Sequence, residues 1–449
     1  MKRCSFFILR YGQHHPNAIK IIDNLAWLFV DKVLRMGVGL LVGVWLARYL
    51  GPEQFGLLNY ALALLALFST VAAVGLNPIV VRESVHQPDA APVILGSALL
   101  LRLIAGSIAI MAMNLTLYAL RPDDPLAQIS VLILSMTLLF RASEVVRYWF
   151  ESQVQLRYWV WVENSLFLLM SGVKVVLILH AAPFIAFIWV ILIEAGLLAI
   201  GVGWIYWCRT QTIAWRVRYA RLKQLLHDSW LFMFSAMAMV LYTRIDQIML
   251  GEMVGNDAVG LYSAATRISE AWYFIPVIIV TSLFPAILKA KQRSESAYYQ
   301  RLQQLMDLVI WLSVAVAIAV TLLSDRLITG LFGEAYQAAA GVLVIHIWAS
   351  LLMSLGLVGA KWFVAENHAL FNFQRTAVGV ALNVLLNWLL IPKYGIDGAA
   401  IATLITHLWV NLLYDGLQKM TRPLFWLKLG GLNPLAVIRR LVTLALWLR

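Results

Sequence analysis

Apolar stretches and short polar segments alternate along the whole chain. Each apolar stretch is about 20 residues long, the length with which an α-helix crosses roughly 30 Å of hydrocarbon. The pattern predicts twelve membrane-spanning helices, near residues 24–47, 57–77, 93–119, 127–148, 158–179, 184–207, 229–250, 258–284, 304–323, 338–363, 371–391 and 397–417. The sequence lacks the period-two alternation of outer-membrane β-strands, so helices are expected to satisfy the backbone in lipid. The predicted fold class is an all-α polytopic membrane protein.

The composition and the placement of charge favour the same environment. Of 449 residues, 62% are hydrophobic and 13% are charged, whereas soluble domains carry about 25% charged residues. The net charge is +12, but its location argues against nucleic-acid binding. The predicted inner loops and tails hold 24 Lys and Arg, and the predicted outer loops hold four. This asymmetry predicts a multi-pass protein of the bacterial inner membrane with both termini in the cytoplasm.

The two halves of the chain resemble each other. Phe55-Gly56-Leu57 follows the first predicted helix, and Val259-Gly260-Leu261 follows the seventh. Such a repeat predicts two pseudo-repeated six-helix lobes around a central cavity, with alternating access by rocking of the lobes. The predicted divisions are a cytoplasmic N-terminal segment (1–23), an N-lobe (24–207), a basic inter-lobe loop (208–228), a C-lobe (229–417) and a cytoplasmic or interfacial tail (418–449). The end of this tail is apolar but interrupted by Arg439 and Arg440, so the alternative is the remnant of a further helix.

Charged residues inside the predicted helices are the candidates for function. The basic ones are Lys32, Arg35, Arg102, Lys174, Arg244, Arg267 and Lys361, and the acidic ones are Asp31, Glu163, Glu194, Asp246 and Glu270. An ionised side chain at mid-bilayer costs about 2.5–3.5 kcal/mol on the insertion scale, so such residues normally face a cavity or a partner. The excess is basic, and it predicts a cationic cavity that binds an anionic substrate.

Each of these assignments has a structural alternative. Helical spacing places Asp31 with Arg35, and Arg267 with Glu270, so these residues can form ion pairs within one helix. The three lysines can extend to an interface if the helix boundaries shift by a turn. For Arg102 and Arg244 a cavity role is favoured over packing. His346 and His407 are more often satisfied by neighbouring helices than used to carry protons, and polar stripes on the last helices serve equally well to join helices.

The chemistry of a basic interior suits a diphosphate on a lipid carrier, because Arg binds phosphate oxygens in a fork. Asp31, Asp246 and Glu270 are candidates for binding a coupling cation or proton. The sequence contains no P-loop, no D-x-D on a predicted cytoplasmic loop and no His and Cys cluster with metal-ligand spacing. We therefore expect no cofactor and no metal site, and an enzyme is disfavoured.

Three sequence blocks resemble a known family. They are LARYLGPEQFG (46–56), DQIMLG (246–251) with VGLYSAATR (259–267), and IPKYGIDGAAIAT (391–403). The chain resembles the Wzx-like polysaccharide-biosynthesis flippases of the multidrug/oligosaccharidyl-lipid/polysaccharide (MOP) exporter superfamily. The resemblance implies an antiporter that flips undecaprenyl-diphosphate-linked oligosaccharide to the periplasmic leaflet for O-antigen (lipopolysaccharide), capsule or exopolysaccharide synthesis. It also implies polysaccharide polymerase and chain-length proteins as partners, and it marks Asp246 and Arg267 as family-typical positions.

Other functions remain as alternatives. A drug or small-amphiphile/cation antiporter of the same superfamily is expected to have a less basic cavity. A lipid II flippase usually has fourteen helices rather than twelve. A membrane glycosyltransferase or ligase needs a loop with acidic catalytic residues, which the sequence does not show, and a structural scaffold has no need of so many intramembrane charges.

Overall fold

The computed structural model describes residues 16–210, 215–366, 368–435, 437 and 440, with side chains from residue 34 onward except at 369 and 370. The structure does not describe the side chains of Asp31 and Lys32, so their predicted roles stay predictions. The α-helices are α1 (Pro16–Ala73), α2 (Leu76–His86), α3 (Ala91–Leu120), α4 (Pro125–Ser135), α5 (Thr137–Phe140), α6 (Glu144–Ser152), α7 (Arg157–Leu179), α8 (Phe184–Thr210), α9 (Tyr219–Met253), α10 (Asn256–Trp272), α11 (Phe274–Arg293), α12 (Glu295–Phe332), α13 (Ala339–Ala365), α14 (Ala369–Leu408), α15 (Tyr414–Leu417) and α16 (Arg422–Leu432).

Ten helical runs within the described ranges are long and apolar enough to cross a membrane. The run Leu34–His86 covers part of the first predicted span and all of the second, and the run Phe371–Leu417 contains the last two, so the ten runs are compatible with twelve crossings. The backbone marks the division inside each run. Gly51 (φ 71°, ψ 170°) interrupts α1, and Gly395 (φ 54°, ψ −128°) interrupts α14. The predicted all-α, multi-pass membrane fold is confirmed.

The chain forms two compact units. Unit 1 contains the residues up to Tyr49 together with Ala61–Val240, and unit 2 contains Leu50–Tyr60 together with Leu241–Arg449. Unit 1 is built on a core of buried apolar residues from α2, α3, α6 and α9, which are Leu76, Ile79, Val80, Ile94, Leu95, Ala98, Val145, Tyr148 and Leu225. A second cluster joins α6, α7 and α8 through Phe150, Trp159 and Val202.

The core of unit 2 lies around α12 and α13. Buried Tyr298, Leu302, Met306 and Ile310 of α12 belong to one cluster with buried residues of α13, which are Leu351, Leu352, Leu355, Val358, Trp362 and Phe363. The α12–α13 pair also shares a hydrogen bond between Ser313 and Ser354, 3.2 Å long.

The two copies of the repeated Gly motif pack against each other inside unit 2. A Cβ at Gly56 would overlap the Asn256 carbonyl, and a Cβ at Gly260 would overlap the carbonyl of Pro52. Small residues let helix backbones approach closely in a membrane, where lipid already solvates larger apolar side chains. The repeat therefore has a packing reason, which the sequence pattern alone did not show.

The segments predicted to lie between and after the lobes contain more helix than expected. α9 begins at Tyr219, inside the predicted loop, because its first turns bury Leu225 despite their polar composition. In the predicted tail, α16 packs against α12. Gln303 donates to the carbonyl of Leu427 at 3.1 Å, and the Trp311 indole donates to the carbonyl of Gly431 at 3.1 Å.

Candidate functional site

Arg102 occupies a compensated position in unit 1. It lies in the middle of α3 and is 2% exposed. Its Nη2 is 2.8 Å from Oε2 of Glu144 on α6, and its Nη1 donates to the hydroxyl of Tyr148, one turn further along α6. The guanidinium also lies 5.7 Å from the centroid of the Tyr148 ring. The buried cation is therefore neutralised by one carboxylate and held by a second α6 side chain.

The other described intramembrane cations of unit 1 also face acids. Arg35 lies 3.3 Å from Glu163 of α7 and 5.2 Å from the centroid of the Phe167 ring. Nζ of Lys174 on α7 is 3.4 Å from Oε2 of Glu194 on α8. Glu163 lies on another helix than Arg35. The side chain of Asp31, which helical spacing places with Arg35, is not described, so that pairing stays a prediction. Spacing along one helix reveals shared faces and cannot reveal which helix packs opposite.

Asp246 in unit 2 has neutral surroundings. The side chain on α9 is 5% exposed. Its Oδ2 accepts hydrogen bonds from the hydroxyls of Tyr262 (2.8 Å) and Thr403 (2.6 Å), and its Oδ1 accepts from the Asn387 amide (2.6 Å). No basic side chain in the described part of the chain lies within 4.0 Å of this carboxylate. The donors come from α10 and α14, so three helices converge on one buried acid.

The Asn residues beside Asp246 add acceptor oxygens to this cluster. The amide nitrogen of Asn387 also donates to Oδ1 of Asn383 at 3.1 Å, while the side-chain oxygen of Asn387 is buried without a hydrogen-bond partner. Oxygen atoms of a carboxylate, an amide and a hydroxyl are ligands that hard cations prefer. The cluster therefore gathers oxygen ligands of this kind around Asp246.

The remaining predicted cations of unit 2 lack close one-to-one pairing. Nη2 of Arg244 lies 3.8 Å from Oε2 of Glu270. Arg267 stacks 5.2 Å from the centroid of the Phe55 ring, and Lys361 lies 5.7 Å from that of Phe284. Among the described residues, no acid lies within 4.0 Å of Arg267 or Lys361. The sequence suggested an Arg267–Glu270 pair, but Glu270 lies closer to Arg244 because α9 and α10 meet there.

The two histidines on polar stripes are satisfied by neighbouring side chains. The Ser269 hydroxyl lies 2.7 Å from Nδ1 of His346. Nδ1 of His407 lies 2.9 Å from the Tyr242 hydroxyl and 2.9 Å from the Asn411 amide. Each histidine thus has one partner on another helix, Ser269 for His346 and Tyr242 for His407.

A buried ionic cluster near the end of unit 2 escaped the sequence analysis. Asp415 and Lys428 are 0% exposed, and Arg375 is 5% exposed. Nζ of Lys428 donates to Oδ2 of Asp415 at 2.5 Å and to the carbonyl of Asn411 at 2.6 Å, and Nη1 of Arg375 lies 3.9 Å from Oδ1 of Asp415. Asn411 lies in a π-helical turn, Trp409–Leu413.

Burial lowers the pKa of the Lys428 side chain to about 8, although the neighbouring Asp415 carboxylate acts to raise this pKa. The residue lies in α16, where the sequence predicted a surface tail. The only signal for it was a Lys surrounded by apolar residues in a segment too short to span the membrane.

The structure distributes the described candidate cations over both units. Arg35, Arg102 and Lys174 lie in unit 1, and Arg244, Arg267 and Lys361 lie in unit 2. Their convergence in a central cationic cavity stays a prediction, as does a substrate-binding role for each of them.

Comparisons with known proteins identify the family. Residues 21–291 match the family described as polysaccharide biosynthesis protein. The chain is 21% identical over 399 residues to the probable low-salt glycan biosynthesis flippase Agl15 of Haloferax volcanii, covering 84% of this chain and 79% of that protein.

Solved structures of two membrane proteins share the fold. An inward-facing multidrug resistance MATE family transporter has a TM-score of 0.68 and 13% identity, over 94% of this chain and 99% of that one. The lipid II flippase MurJ in an inward closed conformation has a TM-score of 0.64 and 15% identity, over 92% and 91%. At these identities the likeness shows the fold alone. The family match covers more than half of the sequence, and the chain therefore belongs to the polysaccharide biosynthesis protein family.

Proposed function

We propose that this chain is a flippase that moves undecaprenyl-diphosphate-linked oligosaccharide from the cytoplasmic to the periplasmic leaflet of the bacterial inner membrane. Family membership supports a role in polysaccharide biosynthesis, and the relative Agl15 is named as a glycan biosynthesis flippase. In this proposal the substrate crosses by alternating access. Both termini lie in the cytoplasm. A polysaccharide polymerase and its chain-length partners then use the translocated oligosaccharide. The glycan belongs to a surface polysaccharide.

The observation that carries this proposal is the surplus of positive charge in the apolar helices of unit 2. Arg244, Arg267 and Lys361 share a single close acid among the described residues, Glu270 at 3.8 Å from Arg244. Asp246 is turned toward neutral donors instead. Cationic side chains in membrane helices that lack a nearby acid need another anion as a partner. A diphosphate has the charge and the oxygen geometry that guanidinium groups bind.

A test of the transport step follows from the lipid-linked substrate. Removing the protein should leave lipid-linked oligosaccharide on the cytoplasmic leaflet, where an impermeant glycosidase or lectin reaches it only after the inner leaflet is exposed. Arg244→Ala and Arg35→Ala should give the same accumulation while the protein remains in the membrane. Arg326→Gln, at an exposed position on α12, is the matched control and should export normally. Normal export by both Ala variants would refute a basic substrate site.

Asp246 is the residue we propose for coupling to an ion gradient. Its cluster offers carboxylate, amide and hydroxyl oxygens to a proton or cation. A change of charge at Asp246 would alter the hydrogen bonds that join α9 to α10 and α14. In proteoliposomes, Asp246→Asn should make flipping insensitive to an imposed proton or sodium gradient. Asp325→Asn, an exposed acid on α12, should keep the wild-type response. A gradient response that is the same in Asp246→Asn and wild type would remove Asp246 from this role.

The MATE-like fold makes a drug or small-amphiphile antiporter the alternative, since fold alone does not separate the two. Dye export that persists in Arg244→Ala and needs no lipid-linked glycan would favour that alternative. The surplus of cations argues against it, because cationic drugs would be repelled.

A further inference from the structure

One end of the α7–α8 helix pair carries two arginines on a single tyrosine ring. The guanidinium carbon of Arg209 lies 4.0 Å from the centroid of the Tyr158 ring, and that of Arg157 lies 4.9 Å from the same centroid. Nη2 of Arg157 also donates to the Tyr158 hydroxyl at 3.0 Å. Phe150 supports the ring from α6, with centroids 5.9 Å apart. The tyrosine therefore holds two exposed cations at a defined place.

The opposite end of the same helix pair has no such charge. Between Lys174 and Arg209 the sequence contains no Lys or Arg, so the turn at residues 180–183 is uncharged apart from His180. Arg157 is the first residue of α7, and Arg209 is the last but one of α8. The helix pair is thus strongly polarised, with both of its terminal cations stacked on one ring.

The surroundings of this arginine pair are those of a membrane interface. Little of the apolar stretch of either helix is buried, 11% of it in α7 and 22% of it in α8. Trp161, one turn beyond Arg157, is 55% exposed, and Trp204 and Trp207 lie on α8 with ring centroids 5.4 Å apart. Trp side chains concentrate at the headgroup level of bilayers, so we expect the arginine pair at the level of the lipid phosphates.

The neighbouring basic segment is also held in place. Trp215 donates from its indole to the Tyr206 hydroxyl at 2.9 Å, and the backbone nitrogen of Arg216 donates to the carbonyl of Pro92 at 3.1 Å. These contacts anchor residues 215–218 to unit 1, while the side chains of Arg216 and Arg218 are exposed. The segment therefore adds positive charge close to Tyr206.

We infer that Tyr158, Arg157 and Arg209 form a binding site for an anionic phospholipid, with its phosphate on the two guanidinium groups and its acyl chains along the exposed faces of α7 and α8. Guanidinium groups form charge-assisted hydrogen bonds with phosphate oxygens. A lipid also gains apolar contact with the tryptophan-bearing faces, which a free phosphate ion cannot make. The occupant is therefore a membrane lipid such as phosphatidylglycerol and not a soluble anion. The site is separate from the charges proposed to bind the transported substrate.

The test is the retention of phosphatidylglycerol by the full chain. The protein is placed in nanodiscs of phosphatidylcholine with a minor fraction of phosphatidylglycerol, and bound lipids are counted by native mass spectrometry after release. Wild type should retain phosphatidylglycerol selectively. Arg209→Gln should lower this retention about fivefold, the effect of one basic residue near an anionic surface. Tyr158→Leu should lower the retention as well, although this substitution changes no charge, because the ring on which the two arginines stack is lost.

Matched variants separate a defined site from general attraction. Arg326→Gln removes an exposed arginine from unit 2 and should retain phosphatidylglycerol like wild type. Tyr158→Phe keeps the aromatic ring, so it should retain more phosphatidylglycerol than Tyr158→Leu. Arg209→Lys keeps the charge, so it should retain more than Arg209→Gln. Both conservative variants still test the site if the other two misfold. Wild-type retention by Tyr158→Leu, or an equal loss in Arg326→Gln, would overturn the inference. Displacement of the lipid by inorganic phosphate would overturn the assignment of a lipid.

Discussion

Arg102 in unit 1 and Asp246 in unit 2 are both buried charges inside apolar helices, yet their surroundings are opposite. Arg102 meets the Glu144 carboxylate at 2.8 Å, so its charge is balanced within the protein. Asp246 meets two hydroxyls and an amide, and no described cation lies within 4.0 Å of it. A charge that is balanced by its own protein has no need of a ligand, whereas an unbalanced one needs a proton or a cation.

This difference separates two buried charges that the sequence analysis had placed together only as candidates for function. The Arg102 cluster joins α3 to α6, and the Asp246 cluster, which we propose as the site of ion exchange, lies where α9, α10 and α14 meet. Removing a charge should therefore harm stability in the first cluster and spare it in the second. The following predictions use that contrast.

The largest expected effect is on the stability of unit 1. Arg102→Met keeps much of the buried volume but leaves Glu144 without its cation, and removing one partner of a buried pair costs about 3–5 kcal/mol. Because Glu144 is 33% exposed, we expect the lower end, about 3 kcal/mol. Thermal unfolding in detergent, followed by tryptophan fluorescence, measures it. The double variant Arg102→Met with Glu144→Gln should recover much of the loss. A single variant as stable as wild type would show that the pair does not tie the helices.

The second effect concerns the buried cluster of Lys428, which is balanced by Asp415 in the way Arg102 is balanced by Glu144. Lys428→Met should lower the free energy of unfolding by about 2 kcal/mol, less than a fully orphaned charge, since Arg375 still faces Asp415. Protease resistance of α16 and thermal unfolding report it. Lys419→Met, nearby in the same tail but at an exposed position, is the control and should leave both unchanged.

The same lysine predicts a pH dependence. Its folded-state pKa is lowered to about 8 from 10.5, so between these values the unfolded chain binds a proton that the folded chain has released. Stability therefore gains a favourable increment as pH rises through this window, and the penalty of burying the charged lysine is fully present below pH 8. The increment appears as the difference between wild type and Lys428→Met over this range. A difference that does not change with pH would contradict the burial of a charged lysine.

The fold was predictable from the sequence to a greater degree than the clusters. Apolar length identified the helices, since bilayer thickness fixes how long they must be. The interruptions at Gly51 and Gly395 and the contact of Gly56 with residue 256 depend on backbone geometry that hydropathy does not contain. Asp246 was found because a lone acid in an apolar helix is conspicuous. Its donors Tyr262, Asn387 and Thr403 come from distant positions, and periodicity along one helix cannot predict contacts between helices.

Asp246→Asn should change the free energy of unfolding by no more than about 1 kcal/mol, whereas Arg102→Met should lower it by about 3 kcal/mol. The new amide keeps an oxygen for the hydroxyls of Tyr262 and Thr403, and rotation of the Asn387 amide presents its unpartnered oxygen to the new nitrogen. A neutral group in place of a buried carboxylate also avoids a desolvation penalty. Thermal unfolding checks this beside the gradient assay. A loss as large as that of Arg102→Met would mean that Asp246 is a structural anchor, and the contrast between the clusters would fail.

The smallest effect on stability is expected at Lys174, which makes the comparison within unit 1 sharper. Its ammonium lies 3.4 Å from Glu194, and the two side chains are 18% and 26% exposed, so both keep contact with the surroundings. Such a loosely held pair contributes roughly 0–1 kcal/mol, and Lys174→Gln should unfold close to wild type. Lys174 was also predicted to bind substrate, and stability and flipping can be measured on this one variant. Reduced flipping with unchanged unfolding would support that role, because a pair that adds little to stability leaves its cation available to a phosphate. Unchanged flipping would assign Lys174 to the helix contact alone.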